Sequence, residues 1–177
     1  MALGLPGPTL DLGSAKVSWI VTTAQELEVY DEVRWTLTGE TADVFENTYG
    51  ATPVDTVFLG YSACEVTIPA TRITLAKLQK LLPGGSISGS GLVRVNADTA
   101  VGISMYDNGH PLIIQPIVNG VASTTKALRL EKTYPVANFD VVFNLRDQRT
   151  YGLTFKAHPN SDEVLWQVGA VSTADYS

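Results

Sequence analysis

Residues 25–38 decide the fold prediction, and they read QELEVYDEVRWTLT. Apolar side chains occupy every second position, with one interruption at residue 31: Leu27, Val29, Val33, Trp35 and Leu37. The positions between them are mostly acidic or polar, and a period of two predicts a half-buried β-strand. Gly39 and Glu40 then predict a turn, and residues 42–48 a returning partner strand. The stretch therefore predicts a hairpin with one apolar face and one acidic face.

The same alternation recurs along the chain. Further strands are predicted over residues 16–21, 91–95, 101–105, 112–118, 141–145, 151–157 and 164–168. Residues 55–68 are predicted to form one long strand or one that is broken at Gly60. Asp107-Asn108-Gly109 and Asn119-Gly120 are turn signals between them. Many short strands separated by turns predict a mainly β fold, either a two-sheet sandwich or a barrel.

One helix is predicted at residues 74–82, flanking the sheet. Thr74 has the side chain of an N-cap, the leucines that follow recur at helical spacing, and Pro83-Gly84-Gly85 ends the helix. Residues 1–14, rich in Gly and Pro, and the small polar residues 172–177 are expected to form terminal arms. The length of 177 residues predicts a single domain over 1–177.

Charge is scarce and unevenly placed. Charged residues make up 17% of the chain, against about 25% in an average domain. Either part of the surface faces other subunits, whose interface cores are depleted of charge, or a Thr- and Ser-rich sheet simply has a neutral face. Residues 25–46 hold seven acids and one base, a net charge of −6, and the other eleven acids and eleven bases cancel. A solvated face is the common explanation of such a run, although like charges along one strand are mildly destabilising.

The residues that carry chemistry form no recognisable site. Cys64 is the only cysteine and follows an apolar alternation that predicts burial. His110 and His158 each precede a proline, have no partner at metal-ligand spacing and are expected on the surface. Neither a phosphate-binding loop nor a nucleophile elbow occurs. We therefore predict no catalytic, cofactor-binding or metal site, and a protein that is not an enzyme.

The sequence also argues against two classes of partner. A pI near 4.8 disfavours a nucleic-acid binder, which needs a basic surface for phosphate contacts. The N-terminal residues lack a basic region and an apolar core, so we expect no secretory signal. No stretch reaches the roughly 18 apolar residues of a membrane span. We expect a chain that is made in a cytoplasm and has no membrane partner.

Four motifs in order resemble the major tail proteins of siphophages, the subunits of the tail tube. Residues 49–55 resemble that family's early Tyr-Gly-x-Thr-Pro-Val-Asp segment, and residues 74–84 resemble its leucine helix ending in Leu-Pro-Gly. Residues 110–116 are similar to its Pro-Leu-x-x-x-Pro strand, and residues 149–157 to its closing Tyr-x-x-x-Phe-x-Ala strand. The motifs are simple, and their shared order over residues 15–170 carries the resemblance.

The resemblance implies a structural virion subunit, assembled in the host cytoplasm. Its partners would be copies of itself in stacked, hexameric rings, other tail proteins, and double-stranded DNA that passes without specific binding. Because a negative wall repels DNA, we expect six acids to face or border the lumen: Glu26, Glu28, Glu32, Glu40, Asp43 and Glu46. We expect Tyr49, Gly50 and Pro53 at an inter-subunit contact. The alternative for the acids is an outer face or a ring contact.

Two other functions remain open from the sequence. One is a different tail ring protein of related fold, from the tail end or baseplate, which would form single rings. The other is a monomeric β-sandwich module that binds carbohydrate or peptide. The second would need exposed aromatic side chains on one face, whereas Trp19, Trp35 and Trp166 fall on positions predicted to be in the core.

Overall fold

The structure is a computed structural model that describes residues 15–21, 24–29, 31–89, 91–136, 140–142 and 150–171. The predicted arms, residues 1–14 and 172–177, lie outside the described residues. The strands are β1 (Ala15–Ile20), β2 (Ala24–Val29), β3 (Arg34–Phe45), β4 (Pro53–Thr71), β5 (Gly85–Ile87), β6 (Val93–Val95), β7 (His110–Val118), β8 (Val121–Ala122), β9 (Ala127–Pro135), β10 (Asp140–Val142), β11 (Thr150–His158) and β12 (Trp166–Gly169). The helices are α1 (Leu75–Leu81) and the single turn α2 (Ala97–Ala100).

Six strands close into an antiparallel barrel in the order β1, β2, β4, β11, β9 and β7. Closure follows because β11 pairs with β4 through residues 151–156 and with β9 through residues 155–158. β7 then pairs with both β9 and β1. Strands β5 and β6 form a separate two-stranded sheet. The predicted mainly β class is confirmed, and of the two predicted architectures the main sheet forms the barrel, which leaves few open edges.

The barrel interior is filled by the alternating side chains that the sequence placed inside. Trp19 is 2% exposed and its ring lies 5.6 Å from that of Phe155, centroid to centroid. The Trp19 indole N–H donates to the Thr133 carbonyl at 3.3 Å, which satisfies the polar atom that a buried tryptophan brings with it. Trp35 and Trp166 pack edge to face at 5.3 Å beside this core. The three tryptophans therefore serve packing, as predicted.

The predicted helix is confirmed as α1. The Thr74 side chain accepts a hydrogen bond from the Lys77 backbone N–H at 3.3 Å, as an N-cap does. Leu81 is 3% exposed and joins the barrel core, whereas Leu75 at the start of the helix is 50% exposed. The helix ends before Pro83-Gly84, where Gly84 has a φ of 69° that suits glycine. One side of this short helix is thus held against the barrel.

The predicted turn at Gly39-Glu40 is wrong, although the long hairpin itself is present. β3 runs through both residues to Phe45, and the chain reverses only at residues 46–52. The register with β4 shifts at Thr38/Gly39 and again at Glu40/Thr41, as at β-bulges. A Cβ on Gly39 would lie 2.8 Å from the Phe58 ring. Gly39 therefore allows the Phe58 ring to lie close to the backbone at a β-bulge, and it does not form a turn.

Three further strand predictions change. Residues 25–38 form two strands, because β2 ends at Val29 and β3 begins at Arg34. Residues 101–105 form turns, and Gly102 has a φ of 79° that a strand does not allow. The sequence analysis missed β9 entirely, although it closes the barrel. Residues 141 and 142 of the predicted strand 141–145 belong to β10, and residues 143–149 lie outside the described residues.

Candidate assembly interface

β3 and β4 continue past the barrel as a two-stranded ribbon, residues 39–61. β4 pairs with β11 only through residues 65–70 and with β2 only through residues 70–71. Among the described strands, the ribbon is therefore paired only within itself. Every ribbon residue is exposed except Ala42 and Gly60, which are half-buried. A two-stranded hairpin is marginally stable alone in water. We therefore expect a partner surface to stabilise a ribbon of this length.

Large apolar side chains cover this ribbon on both faces. Directly paired residues share a face of a sheet, so the pairing of Ala42 with Val57 and of Thr41 with Phe58 places Val57 and Phe58 on opposite faces. Eight large apolar or aromatic residues of the ribbon are between 42% and 63% exposed: Val44, Phe45, Tyr49, Val54, Val57, Phe58, Leu59 and Tyr61. Monomeric proteins rarely expose so much contiguous apolar surface unless it binds something.

The ribbon also presents two open strand edges. Of the described strands, only β4 pairs with β3, and only β3 pairs with residues 53–64 of β4. Unpaired N–H and C=O groups along an edge are a template for strand addition by another chain. The described ribbon carries neither a proline inside β3 nor a lysine on either edge, which are the usual means of blocking such addition. The backbone therefore supports the same conclusion as the side chains.

The six acids predicted to border a lumen divide into two groups. Three belong to local ion pairs near the barrel: Glu26 with Lys16 at 3.3 Å, Glu28 with Arg72 at 3.8 Å, and Glu32 with Arg34 at 2.8 Å. The other three, Glu40, Asp43 and Glu46, are exposed on the ribbon and have no ion pair within the described residues. Of these six acids, the three without an ion pair in the described part of the chain therefore lie on the ribbon.

Neutral donors, and not bases, contact the acids on the ribbon. The Thr56 hydroxyl donates to the Asp43 carboxylate at 2.9 Å, and the Thr56 backbone N–H donates to that of Asp55 at 2.8 Å. Residues 35–71 include five acids and no Lys or Arg, a net charge of −5. Within the part of the chain that the structure describes, only Glu65, at the barrel end of this segment, has a base beside it, Lys156 at 3.2 Å. A partner that covers the ribbon therefore meets an acidic surface.

The residues predicted at an inter-subunit contact lie together at the ribbon tip. Tyr49 ends a 3-10 turn, residues 47–49, and is 61% exposed. Gly50 follows with a φ of 65°, in the left-handed region that glycine tolerates. Pro53 begins β4 opposite Phe45. An exposed aromatic side chain on a fixed turn is a suitable anchor for a contact, and the role itself stays a prediction.

The residues that could support chemistry are used in packing. Cys64 is buried, and its Sγ accepts from the Trp35 indole N–H at 3.4 Å. Burial raises the pKa of this thiol, which makes it a poor nucleophile. His110 and His158, predicted on the surface, lie at strand ends and are half-buried. Among the described residues, no three side chains form a metal-binding group, and no helix is long and apolar enough to span a membrane.

The sequence analysis missed one buried polar cluster. Glu131 on β9 is 3% exposed, contacts Arg129 at 3.0 Å and accepts from the Gln167 side chain at 3.0 Å. These contacts fasten β12 to β9 on the outside of the barrel, where Ile20, Ile113 and other buried residues also lie. A single sequence gives no signal that pairs the acid of β9 with the amide of β12.

No protein-family model and no curated protein matches this chain. A chain of an extracellular contractile injection system, the PVC sheath–tube complex in its extended state, is similar with a TM-score of 0.53 and 11% identity, over 92% of this chain and 94% of that chain. A chain of the anti-feeding prophage cap, the AFP tube-terminating cap, has a TM-score of 0.54 and 9% identity, over 97% and 95%. Hcp1 from Flavobacterium johnsoniae has a TM-score of 0.44 and 12% identity, over 89% and 95%. At these identities the first two similarities concern the fold.

Proposed function

We propose that the chain is a structural subunit of a phage tail tube or a related injection tube, and that it works by assembling with copies of itself. The observation that carries this proposal is the ribbon, residues 39–61, which is apolar on both faces and open on both edges. In a monomer such a surface leaves apolar side chains in water and strand edges unpaired, and assembly with another copy covers both. The shared fold with chains of a sheath–tube complex and a tube-terminating cap supports it.

The direction in which the ribbon extends favours assembly into a ring. The ribbon extends from one side of the barrel, so it meets a different surface on the next copy, and such a heterologous contact closes into a ring when its rotation permits. The siphophage resemblance of residues 49–55, 74–84, 110–116 and 149–157 further suggests hexameric rings, stacked into a tube in a virion. Tyr49, Gly50 and Pro53 would lie in the contact between subunits.

We also propose that the six acids border the bore and that DNA passes it without being held. The reason is electrostatic, since basic side chains would bind phosphates through counterion release and a negative wall would not. The ribbon acids Glu40, Asp43 and Glu46 would contribute most, because those near the barrel are already ion-paired.

A DNA co-sedimentation assay tests the acidic bore. Tubes of the variant Glu40→Lys/Asp43→Lys/Glu46→Lys should retain double-stranded DNA that unaltered tubes release, and the retention should fall as salt rises. Asp162→Lys, an exposed change outside the ribbon, is the control. A reconstruction of the tube that places these carboxylates on its exterior, away from the bore, would contradict this part of the proposal.

Negative-stain microscopy of the concentrated protein tests the main proposal. We expect hollow tubes or stacked rings from the unaltered chain. Val57→Glu/Phe58→Glu should yield folded monomers, because it places a charge on each face of the ribbon. Val101→Glu, at a side chain that is 81% exposed outside the ribbon, should assemble normally. An unaltered chain that stays monomeric at high concentration would overturn the proposal.

One observation favours a second candidate, a ring that closes or ends a tube without stacking. The fold covers 97% of this chain in the comparison with a tube-terminating cap. Lone rings without tubes in the same microscopy would select this role. The third possibility is a monomeric carbohydrate- or peptide-binding module. The three tryptophans do not serve it, because Trp19 is in the core and Trp35 packs against Trp166, and monomers alone in the same microscopy would select it.

A further inference from the structure

A second group of exposed apolar side chains lies on the short hairpin of β7 and β8. β7 ends at Val118, and the chain returns through Asn119 and Gly120 to form β8. Ile117, Val118 and Val121 are 41%, 42% and 70% exposed. Val118 pairs directly with Val121, so their side chains lie on the same face of the hairpin. A cluster of this kind, unlike a single exposed apolar residue, indicates a contact surface.

This hairpin borders a groove of about 710 Å³, which we call the hairpin groove. Ile117 and Val121 belong to its lining, and so do two ion pairs, Lys16 with Glu26 and Arg72 with Glu28. The charges of the described lining residues therefore cancel. Sites that enclose a small ligand have volumes of about 300–1,000 Å³, so the groove has room for an aromatic side chain.

The strand register places the hairpin groove at the end of the barrel opposite the ribbon. Thr71, the last residue of β4, lines the groove and pairs with Glu28. The ribbon leaves the barrel at the other end of β4, before the pairing with β11 begins at Glu65. Over residues 53–61 it extends roughly 26 Å away from the barrel, at about 3.3 Å per residue. The ribbon therefore points away from the groove of its own chain, and only the ribbon of a second copy can enter it.

The ribbon tip, residues 46–52, has the chemistry that suits this groove. Tyr49 is 61% exposed on the tip, and Phe45 beside it is 58% exposed. Residues 47–52 carry no charged side chain, so this part of the tip adds no charge to the two ion pairs of the groove. A tyrosine ring packs on apolar side chains while its hydroxyl bonds to polar groups at the rim. An aromatic anchor in a pocket often supplies much of the binding energy of a protein interface.

We propose that the ribbon tip of one copy docks in the hairpin groove of a second copy, with Tyr49 against Ile117 and Val121. Each copy supplies both halves of this contact, so a further copy can add at every step. Because tip and groove lie at opposite ends of β4, the contact joins copies end to end and leaves the faces of the ribbon for lateral contacts. This inference rests on the proposed tube function and adds the surface that receives the ribbon.

Crosslinking between two introduced cysteines tests the docking directly. A chain with Tyr49→Cys and Val121→Cys, treated with a short bifunctional thiol reagent, should give a ladder of covalent oligomers. A mixture of the two single variants should stop at dimers, because each copy then has one half of the contact. Cys64 is buried and should not react. Tyr49→Cys/Val101→Cys, with its second cysteine at a valine that is 81% exposed outside the groove, is the control and should give no ladder.

Two substitutions test the contact through its strength. Tyr49→Ala removes the aromatic anchor, and Val121→Glu places a charge among the apolar side chains of the groove. Each should reduce the fraction of protein that sediments as tubes by about tenfold or more, as the loss of an interface hot spot does. Thermal unfolding of the monomer should be unchanged, because both side chains are exposed. Val101→Glu, the matched valine-to-glutamate change, should form tubes normally.

The outcomes separate the inference from the function on which it rests. Normal tubes from Tyr49→Cys/Val121→Cys that give no ladder would overturn the docking and leave the tube function standing. Tubes of ordinary length from Val121→Glu, or a ladder from the Val101 control alone, would do the same. An unaltered chain that forms lone rings would remove the end-to-end contact, and one that forms no assembly would remove both proposals. Should Val121→Glu unfold, the crosslinking result decides.

Discussion

The two halves of β4 have opposite environments within one continuous strand. In residues 65–71, Val66, Ile68 and Ala70 are fully buried, and neighbouring strands pair on both edges. In residues 53–61, apolar side chains of similar size are exposed, and only β3 pairs with them. Local sequence does not separate the halves, since both are rich in β-forming residues. The difference lies in what surrounds the strand: described strands flank the barrel half on both edges, and β3 alone flanks the ribbon half.

This contrast predicts that changes in the barrel act on folding and changes in the ribbon act on assembly. A buried apolar side chain contributes about 1.5–3 kcal/mol to folding through burial alone. The same side chain on the ribbon contributes less to the monomer, because about half of it stays exposed after folding. In the proposed assembly it contributes when a second copy covers it. Predictions that compare matched residues in the two regions can therefore contradict the division directly.

The largest effect is expected for matched phenylalanines. Phe155→Ala removes a ring that is 1% exposed and packs on Trp19, and should lower the free energy of unfolding by about 3–5 kcal/mol. Phe58→Ala, at a ring that is 53% exposed, should change it by less than about 0.5 kcal/mol and should reduce tube formation. Denaturant unfolding of dilute monomer and sedimentation of concentrated protein give the two measurements. Equal losses of stability would contradict the division.

The next largest effect on the free energy of unfolding is expected from a comparison of two ion pairs. Glu131→Ala breaks a largely buried pair with Arg129 and removes an acceptor from Gln167. We expect a loss of about 3 kcal/mol, because the largely buried guanidinium loses this carboxylate. Glu65→Ala breaks the more exposed pair with Lys156 and should cost less than about 1 kcal/mol. Thermal unfolding of both variants measures the difference, and a larger loss for Glu65→Ala would refute it.

The sequence predicted those parts of the fold that depend on local pattern. Alternation correctly placed Trp19 in the core and Trp35 and Trp166 against it, half-buried, and the Thr74 cap with its leucines predicted α1. The sequence-based prediction failed where the same local signal is compatible with two structures. Glycine at residue 39 fits a turn and a bulge equally well, and only the distant Phe58 ring decides between them.

β9 was missed because its pattern is obscured by polar residues. Residues 127–135 are mostly buried on both faces, yet Arg129, Glu131 and Thr133 occupy positions where an apolar residue is expected. Their partners come from elsewhere in the chain, as Gln167 does for Glu131. The division of the acids is non-local in the same way, because Lys16 and Arg72 lie outside the acidic segment that they partly neutralise. The sequence located the charge, and the pairing required the structure.

The stability of the barrel is expected to depend on pH, because His110 is the first residue of β7. The ribbon carries no histidine. Burial, and then the charges of Lys132 and Lys80, lower the pKa of His110 from its ordinary 6.5. The folded chain therefore favours the neutral imidazole. The stability that this confers is complete above pH 6.5 and is lost as the pH falls through the lowered value, because the unfolded chain takes up the proton first.

His110→Gln tests that prediction. The unaltered monomer should lose melting temperature on acidification below pH 6.5, and the variant should lose less over the same range, although other groups still titrate. The effect should be smaller than that of Glu131→Ala. His158→Gln, at the other half-buried histidine, is the matched control. A pH dependence that is identical in the unaltered chain and His110→Gln would contradict the assignment.

The smallest effect on the monomer, and the sharpest separation of the two regions, is expected for Gly39→Ala. The new methyl group would lie 2.8 Å from Cε2 of Phe58, at the mobile end of that side chain, so the ring must swing away. Unfolding of the monomer should change by less than about 0.5 kcal/mol, since neither residue belongs to the barrel core. Tube formation should fall, because the displaced ring no longer presents the same apolar face. If assembly is unchanged while Phe58→Ala abolishes it, the ring acts through its bulk and not through its position over the bulge.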